Sequence, residues 1–456
     1  MSPPLWHHQT EAVAEIIASR GWMIPHDMGT GKTRTAIEAM VESKVQRVLI
    51  MCPKNVVPVW APQFERWAPG SFAVISLSPK MGTTAQRAKI CQAALDGASA
   101  RNDRVAIIVN YEAAWRSDLK RVLLANHWGM IICDESHRIK SAGGKASTFA
   151  SLLTARAEHR VCMTGTPMPH GPLDLYGQFR FMDPTVFGKS FSRFRAEYAR
   201  MGGYGGHEVD EYLNLDMLTA KFESKSSRVI SADDVLDLPG LHEYDRVVEL
   251  EPSAMATYRQ LEGRFIADLA EGTITAANVL TRLLRLSQCT GGTVRTDEGS
   301  DAPVSQAKEE ALEEIMDELE RDEPLVVFCR FRNDLDAVHR ASEAMGRQSM
   351  ELSGRRNQLA EWQGGHCSVL AVQIQSGGVG IDLTRARYAV YYSVNYSLGD
   401  YDQSRRRLYR PGQTRRTTYI HLVADQTIDQ DIYRALSERR DLVETVLNKH
   451  KENNGH

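Results

Sequence analysis

The stretch Met28-Gly-Thr-Gly-Lys-Thr33 has the residue types of a phosphate-binding loop. It follows the apolar run Trp22–Ile24 and precedes a helical pattern, which is the strand–loop–helix context that such a loop requires. Its glycines let backbone amides face phosphate oxygens, and the helix N-terminus adds positive potential. We expect Lys32 to neutralise the β- and γ-phosphates and Thr33 to offer a hydroxyl to Mg²⁺. The strict pattern has glycine where this chain has His26, so a glycine turn beside a surface lysine remains the alternative.

A second group of chemical interest is the acidic pair at the end of the apolar run Met130–Cys133. Carboxylates at the end of a buried strand can hold Mg²⁺ and orient an attacking water. We therefore assign Asp134, with Thr33, to the metal and Glu135 to the water. The alternative is an ordinary strand-to-loop turn capped by an aspartate. The distance of roughly a hundred residues from the phosphate loop favours the catalytic interpretation.

Short apolar runs alternate with longer helical patterns in both halves of the chain. In the first half these runs are Trp22–Ile24, Arg47–Cys52, Val105–Val109, Met130–Cys133 and Arg160–Met163. In the second half they are Leu325–Cys329, Ser368–Val372, Tyr388–Tyr392 and Thr418–Val423. Short runs rich in Val and Ile are typical of buried parallel strands, and the helical patterns between them indicate βαβ units. We predict an α/β protein with two parallel-sheet halves.

The segment between the halves has a different pattern. From about Leu173 to Leu286 helical signals dominate, interrupted by the glycine-rich stretch Met201–Gly206, which we predict to be a loop. The run Asp237–Gly240 is a plausible hinge. The predicted boundaries are 1–225 for the first lobe with a helical protrusion at about 173–225, 226–245 for a linker, and 246–456 for the second lobe with a helical insertion at about 250–290.

Length, composition and charge limit the classes of protein to which the chain can belong. The chain has 456 residues, 42% hydrophobic, which is enough for two or three cores. Its net charge of −3 means that any nucleic-acid surface must be a local patch. The seven cysteines lack zinc-ligand spacing and are expected to be small buried thiols. With neither a signal-peptide pattern nor an apolar run near the roughly 18 residues of a membrane span, we expect a soluble cytoplasmic protein.

The phosphate loop and Asp134-Glu-Ser-His137 together resemble superfamily-two helicases, and the rest of the chain resembles their Swi/Snf-type branch of DNA translocases. In that branch the position of His26 is commonly not glycine, and the serine of Asp134–His137 is also seen in distant, annealing-helicase-like members. Further segments similar to the branch's motifs are Leu5–Gln9, Met51–Asn55, Asn110–Glu112, Thr164–Pro167, Phe328–Arg332, Gln375–Thr384 and Gln403–Gln413. The resemblance implies two RecA-like lobes with parallel sheets and mainly helical insertions, ATP and Mg²⁺ as cofactors, and double-stranded DNA as the partner. It also implies action as a monomer away from membranes.

The resemblance assigns site residues. Catalytic roles fall to Lys32, Asp134 and Glu135, and to Arg407 and Arg410 as arginine fingers supplied in cis by the second lobe. The nucleotide-binding positions are Gln9, Met28, Gly29, Thr30, Gly31, Lys32, Thr33, Arg34, Gly380, Asp382 and Gln403. Arg407 and Arg410 are three apart on a predicted helix and should share one face. For the neighbouring Arg405, Arg406, Arg415 and Arg416 we favour a solvated helix face or a phosphate-backbone contact.

Nucleic-acid contacts follow from the same positions. A motor indifferent to sequence contacts phosphates and not base edges, which suits lysines, hydroxyls and glycine amides. The candidates in the first lobe are Lys54, Asn55, Asn110, Tyr111 and Lys140. Those in the second lobe are Arg330, Arg332, Ser353, Gly354, Ser376, Gly377 and Gly378. Taken singly, each also fits an ordinary surface residue.

The leading hypothesis is an ATP-dependent translocase on double-stranded DNA that does not necessarily separate strands. One alternative is a strand-separating or annealing helicase on DNA or RNA, which a wedge hairpin would favour; the sequence pattern identifies none. Another is a nucleic-acid-binding module with a vestigial ATPase, against which the intact catalytic set argues. A single-lobe ATPase that takes its arginine from a neighbouring subunit is a third, but it would not need the second α/β half.

Overall fold

The computed structural model describes residues 3–27, 29–202, 208–231, 239–270, 276–295, 300–375 and 381–453. The chain divides into two compact units, Met1–Leu236 with Asp441–His456, and Asp237–Arg440. Each unit contains one six-stranded sheet. The two predicted α/β halves, each with the parallel sheet of a RecA-like lobe, are therefore confirmed.

The first unit is organised around a fully parallel sheet. Its strands are β1 (Gly21–Ile24), β2 (Arg47–Cys52), β3 (Ala73–Leu77), β4 (Val105–Asn110), β5 (Trp128–Asp134) and β6 (Ala157–Met163). Their order is β1-β6-β5-β2-β4-β3. The interior strand β4 is buried along its whole length, as its Val- and Ile-rich sequence predicts. The edge strand β3, which is mostly half-buried, was not predicted.

Helices cover this sheet and connect its strands. In chain order they are α1 (His7–Ala18), α2 (Lys32–Glu42), α3 (Val57–Trp67), α4 (Thr84–Arg101), α5 (Tyr111–Ala114), α6 (Ser117–Ala125), α7 (Lys145–Leu153), α8 (Leu175–Met182), α9 (Pro184–Phe187), α10 (Phe191–Tyr198) and α11 (Leu215–Glu223). Short 3₁₀ turns lie at Pro79–Met81, Ser136–Ile139, Thr154–Arg156 and Pro172–Asp174. The core joins sheet residues such as Ile131 to aromatic residues such as Phe179 and Tyr198 of the later helices.

The predicted helical protrusion also contains strands. An antiparallel hairpin of β7 (Ala199–Gly202) and β8 (Glu208–Tyr212) interrupts the helices. Met201 and Gly202, which we predicted to be loop, belong to β7, whereas residues 203–207 lie outside the described part of the chain. This strand was not predicted because glycine-rich sequence is typical of loops and not of strands.

The second unit repeats the architecture. Its strands are β9 (Leu241–Val248), β10 (Thr293–Arg295), β11 (Asp301–Pro303), β12 (Leu325–Cys329), β13 (Ser349–Leu352), β14 (Val369–Gln373), β15 (Tyr388–Tyr391) and β16 (Thr417–Ala424). The parallel sheet has the order β13-β14-β12-β15-β16-β9, and β10 pairs with β11 in a separate hairpin. Strand β9 begins inside the segment predicted as a linker, and its alternating polar sequence suits a sheet edge.

Seven helices accompany these strands in the described part of the chain. They are α12 (Pro252–Ala270), α13 (Ala276–Thr290), α14 (Ala307–Glu318), α15 (Arg332–Ala344), α16 (Leu359–Gln363), α17 (Leu398–Arg405) and α18 (Ile428–Asn453). Helices α12 and α13 occupy the segment predicted as a helical insertion. The core of this unit lies between α14, α15 and the sheet, with Leu312, Val338 and Val327 fully buried. Among the described residues, none of the helices combines the length and apolar character that a membrane crossing requires.

Candidate functional site

Three strand ends of the first sheet lie level with one another. Ile24 at the end of β1 pairs with Met163 at the end of β6, and Met163 also pairs with Asp134 at the end of β5. The loops that follow these strands therefore leave the sheet at one edge. Carboxyl-terminal edges of parallel sheets are where α/β proteins bind ligands, so the phosphate loop and the acidic pair share the expected position.

The phosphate loop is shaped by two glycines. Gly29 and Gly31 have φ values of +88° and +85°, which side chains rarely adopt. A Cβ on Gly31 would lie 2.1 Å from Nε2 of Gln9. This nitrogen donates to the carbonyl oxygen of Thr30 at 3.1 Å. Gln9 therefore braces the loop from α1, and a side chain at position 31 would be strained by the positive φ and would displace the Gln9 amide.

Lys32 begins α2 with its ammonium turned back into the loop. Its Nζ donates to the carbonyl oxygens of His26 and Asp27, each at 2.8 Å. The amide of Asp27 donates to the carbonyl oxygen of Ile230 at 2.9 Å, which ties the loop to the segment that follows α11. A cation thus sits inside a backbone cradle at a helix N-terminus, which is an arrangement suited to phosphate. Met28, also assigned to the nucleotide, lies outside the described residues.

Two further assigned residues of α2 differ in their surroundings. Thr33 is half-buried in the first turn of the helix. The guanidinium of Arg34 lies 4.4 Å from the ring centre of Trp67 and donates to the carbonyl oxygens of Pro3 and Pro4. The contacts of Arg34 therefore hold the N-terminal segment against α2 and α3.

Asp134 is held from two sides. Trp60 Nε1 donates to its Oδ2 at 3.2 Å, and the Tyr111 hydroxyl donates to its carbonyl oxygen at 2.8 Å. Burial and the neighbouring Glu135 raise the pKa of Asp134 to about 7, while Lys32 opposes that shift. Lys32 is thus close enough to act electrostatically on the acidic pair, which brings the two predicted groups together.

Glu135 has a different environment and a strained backbone. Its φ of +51° lies in the left-handed region, which is uncommon for glutamate and typical of functional turns. Its Oε2 lies 3.4 Å from Nδ1 of His137 and accepts from Thr164 Oγ1 at 3.4 Å. Burial alone would raise its pKa, but His137, Lys32 and Thr164 together lower it below the ordinary value. The pair therefore consists of an ionised Glu135 beside an Asp134 that is hard to ionise.

Sequence reasoning missed one residue at this edge. Gln178 on α8 is fully buried and accepts a hydrogen bond from Ser136 Oγ at 2.7 Å. It also donates to the carbonyl oxygen of Pro167 at 2.7 Å. The available signal was an amide side chain among the apolar residues of Leu175–Met182, since a polar residue on a buried face needs a partner.

The arginine pair of the second unit does not lie on a helix. Helix α17 ends at Arg405, and Arg407 and Arg410 follow in irregular turns. The helix prediction was wrong here because Pro411 and Gly412, where φ is +102°, end the regular backbone early. Arg407 is 2% exposed, whereas Arg410 is half-buried and donates to the carbonyl oxygen of Ile381 at 3.2 Å. The two guanidinium groups therefore have unequal access to a ligand.

Two of the neighbouring arginines form ion pairs with glutamates. Arg405 has a side chain only 17% exposed and forms an ion pair with Glu243 at 2.5 Å. Arg415 pairs with Glu323 at 3.0 Å. A solvated helix face is therefore the wrong description of Arg405, whereas Arg415 lies outside the helices with a side chain 41% exposed and pairs with a buried carboxylate.

Three nucleotide candidates of the second unit remain, and two of them lie within the described residues. Asp382 is exposed, and its Oδ1 accepts from the amide of Thr384 at 2.9 Å, which closes a local turn. Gln403 lies half-buried on α17. Gly380 falls outside the described residues.

The nucleic-acid candidates of the first unit divide into exposed and buried residues. Lys54 and Asn55 are exposed just after β2, and Lys140 is half-buried after the acidic turn. Asn110 is 5% exposed and accepts from Arg87 Nη1 at 3.4 Å, and Tyr111 is 3% exposed. The Tyr111 hydroxyl donates to the carbonyl oxygen of Asp134, so its contact is with the end of β5.

The candidates of the second unit follow the ends of its strands. Arg332 and Gly354 are exposed, whereas Arg330 is half-buried with its amide donating to Ser393 Oγ at 2.8 Å. Ser353 Oγ donates to the buried Glu351 and accepts from the amide of Arg355 at 3.0 Å. Ser376, Gly377 and Gly378 lie outside the described residues.

The fold and this edge define a P-loop nucleotide hydrolase built on two parallel-sheet lobes. Residues 7–292 match the family model of the SNF2-related domain, and residues 307–412 match that of the helicase conserved C-terminal domain. The chain belongs to the SNF2-related family and is a helicase-like ATP hydrolase. The resemblance drawn from the motifs is thereby confirmed.

Individual relatives are distant. Protein p41 of Acyrthosiphon pisum secondary endosymbiont phage 1 is 25% identical over 97% of each chain. An uncharacterized ATP-dependent helicase of Mycoplasma pneumoniae is 23% identical over 94% of this chain, which spans only 40% of that helicase. The structure of the Sulfolobus solfataricus SWI2/SNF2 ATPase core in complex with dsDNA is similar over 98% of this chain and 93% of that one, with 21% identity and a TM-score of 0.44.

Proposed function

We propose that the chain is an ATP-driven translocase that moves along double-stranded DNA. The observation that carries the proposal is the convergence of Lys32, Asp134 and Glu135 at one edge of a parallel sheet in an SNF2-related ATPase. A vestigial ATPase would have no reason to keep two adjacent buried carboxylates, since removing charged groups from water is costly.

The site is suited to ATP with Mg²⁺. Lys32 would contact the β- and γ-phosphates from the start of α2, with the amides of the loop completing the cradle. The pKa of about 7 at Asp134 reflects a buried carboxylate short of positive charge, and that donor, with the Thr33 hydroxyl, fits a divalent cation. Bound there, Mg²⁺ would offset the negative charge of the phosphates.

Glu135 would act on the attacking water. Its lowered pKa keeps it ionised at neutral pH, so that it can orient the water and accept its proton. His137 and Thr164 hold the carboxylate from one side. Hydrolysis in this class depends mainly on positioning and on charge stabilisation.

The second unit would supply the remaining positive charge. Arg410 is the better finger candidate because it is partly accessible, while buried Arg407 would hold the turn that presents it. The amide of Leu383 donates to the Arg407 carbonyl oxygen at 3.1 Å, so this turn is linked to the segment after β14. ATP would favour one arrangement of the two lobes and hydrolysis would release it, which couples chemistry to motion.

Movement along DNA requires contacts that ignore base sequence. Six candidates have side chains or backbone amides of the kinds that bind the DNA phosphates. They are the exposed Lys54, Asn55, Arg332 and Gly354 and the half-buried Lys140 and Arg330. Tyr111 and Asn110 would instead position the catalytic strand, since both are buried and bonded within the protein. The preference for duplex DNA follows from the resemblance to the Swi/Snf-type branch.

A strand-separating helicase is the second candidate, favoured by the β7–β8 hairpin. However, the described part of that hairpin carries Asp210 and Glu211 in ion pairs with Arg200, at 3.3 Å for Asp210. Acidic side chains are poorly suited to entering a phosphate-lined duplex. The acidic residues in the described part of this hairpin therefore weigh against its use as a wedge.

The proposal is tested by ATP turnover measured with duplex DNA, single-stranded DNA and RNA. We expect the largest stimulation with duplex DNA. Lys32→Ala should abolish turnover with every substrate, and the exposed Lys89→Ala should serve as a matched control with wild-type rates. Greatest stimulation by single-stranded DNA or RNA would instead favour the helicase, and normal turnover of Lys32→Ala would refute the phosphate-loop assignment.

A further inference from the structure

The Ser136–Gln178 pair is a buried polar connection between two loops of the candidate site. Both side chains are fully buried, and the hydroxyl donates to Gln178 Oε1 at 2.7 Å. The amide nitrogen of Gln178 then donates to the carbonyl oxygens of Pro167 at 2.7 Å and Asp174 at 3.0 Å. Each polar atom named is satisfied, as a rigid buried network requires.

The connection begins and ends beside the catalytic pair. Ser136 directly follows Glu135, and Pro167 closes the Thr164–Pro167 loop, whose Thr164 hydroxyl donates to Glu135 at 3.4 Å. The loop's own shape is fixed by the amide of Thr166, which donates to Thr164 Oγ1 at 3.1 Å. The Glu135 turn and this loop are thus joined twice, once directly and once through Gln178.

Helix α8 gives Gln178 a fixed position. The preceding residue, Gly177, lies so close to the acidic turn that a Cβ there would be 2.1 Å from the carbonyl oxygen of Ile139 and 2.4 Å from that of Lys140. Contact between backbones leaves little freedom for the helix to move. The Gln178 amide therefore acts from a rigid support.

The left-handed backbone of Glu135 makes such support necessary. A non-glycine residue in this region persists only when its surroundings hold it there. The Ser136 side chain is the next anchor along the chain, and its partner is Gln178.

We propose that Gln178 is a positioning residue for ATP hydrolysis, which holds Ser136 and the Thr164–Pro167 loop so that Glu135 keeps its productive orientation. This inference rests on the proposed role of Glu135 toward the attacking water. It concerns the rate of the chemical step and not the affinity for ATP, because Gln178 lies behind the acidic turn and bonds only to backbone carbonyls and to Ser136.

The test compares Gln178→Leu, Ser136→Ala and the double variant in the full-length chain, with melting temperature, kcat and KM for ATP measured for each. Removing one partner leaves the other buried and unsatisfied, so both single variants should melt lower. Removing both should restore only the part of the stability that is lost by leaving one member of the pair unsatisfied, because the carbonyl oxygens of Pro167 and Asp174 still lack the Gln178 donor. Ser342→Ala, at a fully buried serine of α15 whose hydroxyl donates to the carbonyl oxygen of Val338 at 2.7 Å, is the matched control and should retain wild-type kcat.

A positioning role separates activity from stability. We expect kcat to fall roughly 10–100-fold in both single variants and to stay low in the double variant, with KM for ATP unchanged. Recovery of kcat together with stability in the double variant, or wild-type kcat in Gln178→Leu, would overturn the proposal. If a single variant does not fold, the kcat of the double variant tests the proposal by itself, and a wild-type value would overturn it.

Glu135→Gln serves as the reference that separates the two hypotheses. Turnover retained in Glu135→Gln would disprove the proposed role of Glu135 itself. Lost turnover in Glu135→Gln combined with wild-type kcat in the double variant would disprove only the role of Gln178.

Discussion

Asp134 and Glu135 are neighbours in the chain, yet their carboxyl groups respond to the protein in opposite directions. Burial raises the pKa of Asp134 to about 7, whereas His137, Lys32 and Thr164 outweigh burial and lower the pKa of Glu135. Paired acids with diverging pKa values commonly divide two catalytic tasks. The division of the two tasks was predicted from the sequence, but the divergence of the pKa values was not, because it depends on partners brought in by other parts of the chain.

The first residue-scale prediction concerns the finger arginine. Arg410→Ala should lower kcat for ATP by about 10³-fold while changing nucleotide affinity only slightly, because an arginine finger acts in the transition state. Steady-state turnover and nucleotide binding should be measured side by side. The exposed Arg434→Ala on α18 is the control. Equal loss of binding and turnover would mean that Arg410 is structural.

The second residue-scale prediction concerns Asp334, which caps the start of α15. Its Oδ2 accepts from the amide of Phe331 at 3.0 Å, and burial raises its pKa from 3.8 to about 6, with Lys308 and Asp429 acting in opposite directions nearby. The folded state thus holds a proton that the unfolded state releases, so this group costs stability as pH rises from about 4 to 6.

Asp334→Asn removes that ionisation and keeps an acceptor for Phe331. The melting temperature of the variant relative to wild type should rise across this pH window and level off above it, with roughly 1.4 kcal/mol at stake per pKa unit. Calorimetry at closely spaced pH values gives the comparison. A difference that is independent of pH would show that the carboxyl does not titrate in this range.

At the scale of elements, close backbone contact decides how α8 lies against the acidic turn. Gly177→Ala should lower the melting temperature, at a cost of about 1–3 kcal/mol, because its Cβ would meet two carbonyl oxygens. Gly263→Ala is the matched change, since that helical glycine has nothing within 4 Å of an added Cβ. Thermal unfolding should show a neutral or stabilising effect there. Similar decreases in melting temperature for both variants would contradict the close contact between Gly177 and the acidic turn.

The elements also show what the sequence could predict. The buried strands β2, β4, β5 and β12 were predicted because a short continuous run rich in Val and Ile is typical of a strand that is covered on both faces. The edge strands β3, β9 and β13 were missed, since an edge strand needs fewer apolar residues and its pairing is set by distant neighbours. The helix expected at Arg407 and Arg410 failed for a local reason, the proline and glycine that follow.

The candidate site shows the same division. Lys32, Asp134 and Glu135 were identified because their spacing to an apolar strand carries the signal. Trp60 and Gln178 touch the acidic turn from α3 and α8, and their contacts appear only when the helices are assembled. The local sequence offers little sign of such supporting residues beyond a polar side chain in an apolar helix, as at Gln178.

At the scale of the whole molecule, the proposal requires that one chain supply both the phosphate loop and the finger. Lys32→Ala and Arg410→Ala, each inactive alone, should stay inactive when mixed, because neither chain contains a complete site. An ATPase that borrowed its arginine from a neighbouring subunit would regain part of its turnover in the mixture. The assay therefore distinguishes a finger in cis from an oligomeric ATPase.

The central claim, ATP-driven movement along duplex DNA, is tested most directly by displacement of a triplex-forming strand. The wild-type chain with ATP should release the third strand from the duplex without separating the duplex itself, and Lys32→Ala should release none. Failure to displace the third strand despite duplex-stimulated ATP turnover would contradict the claim.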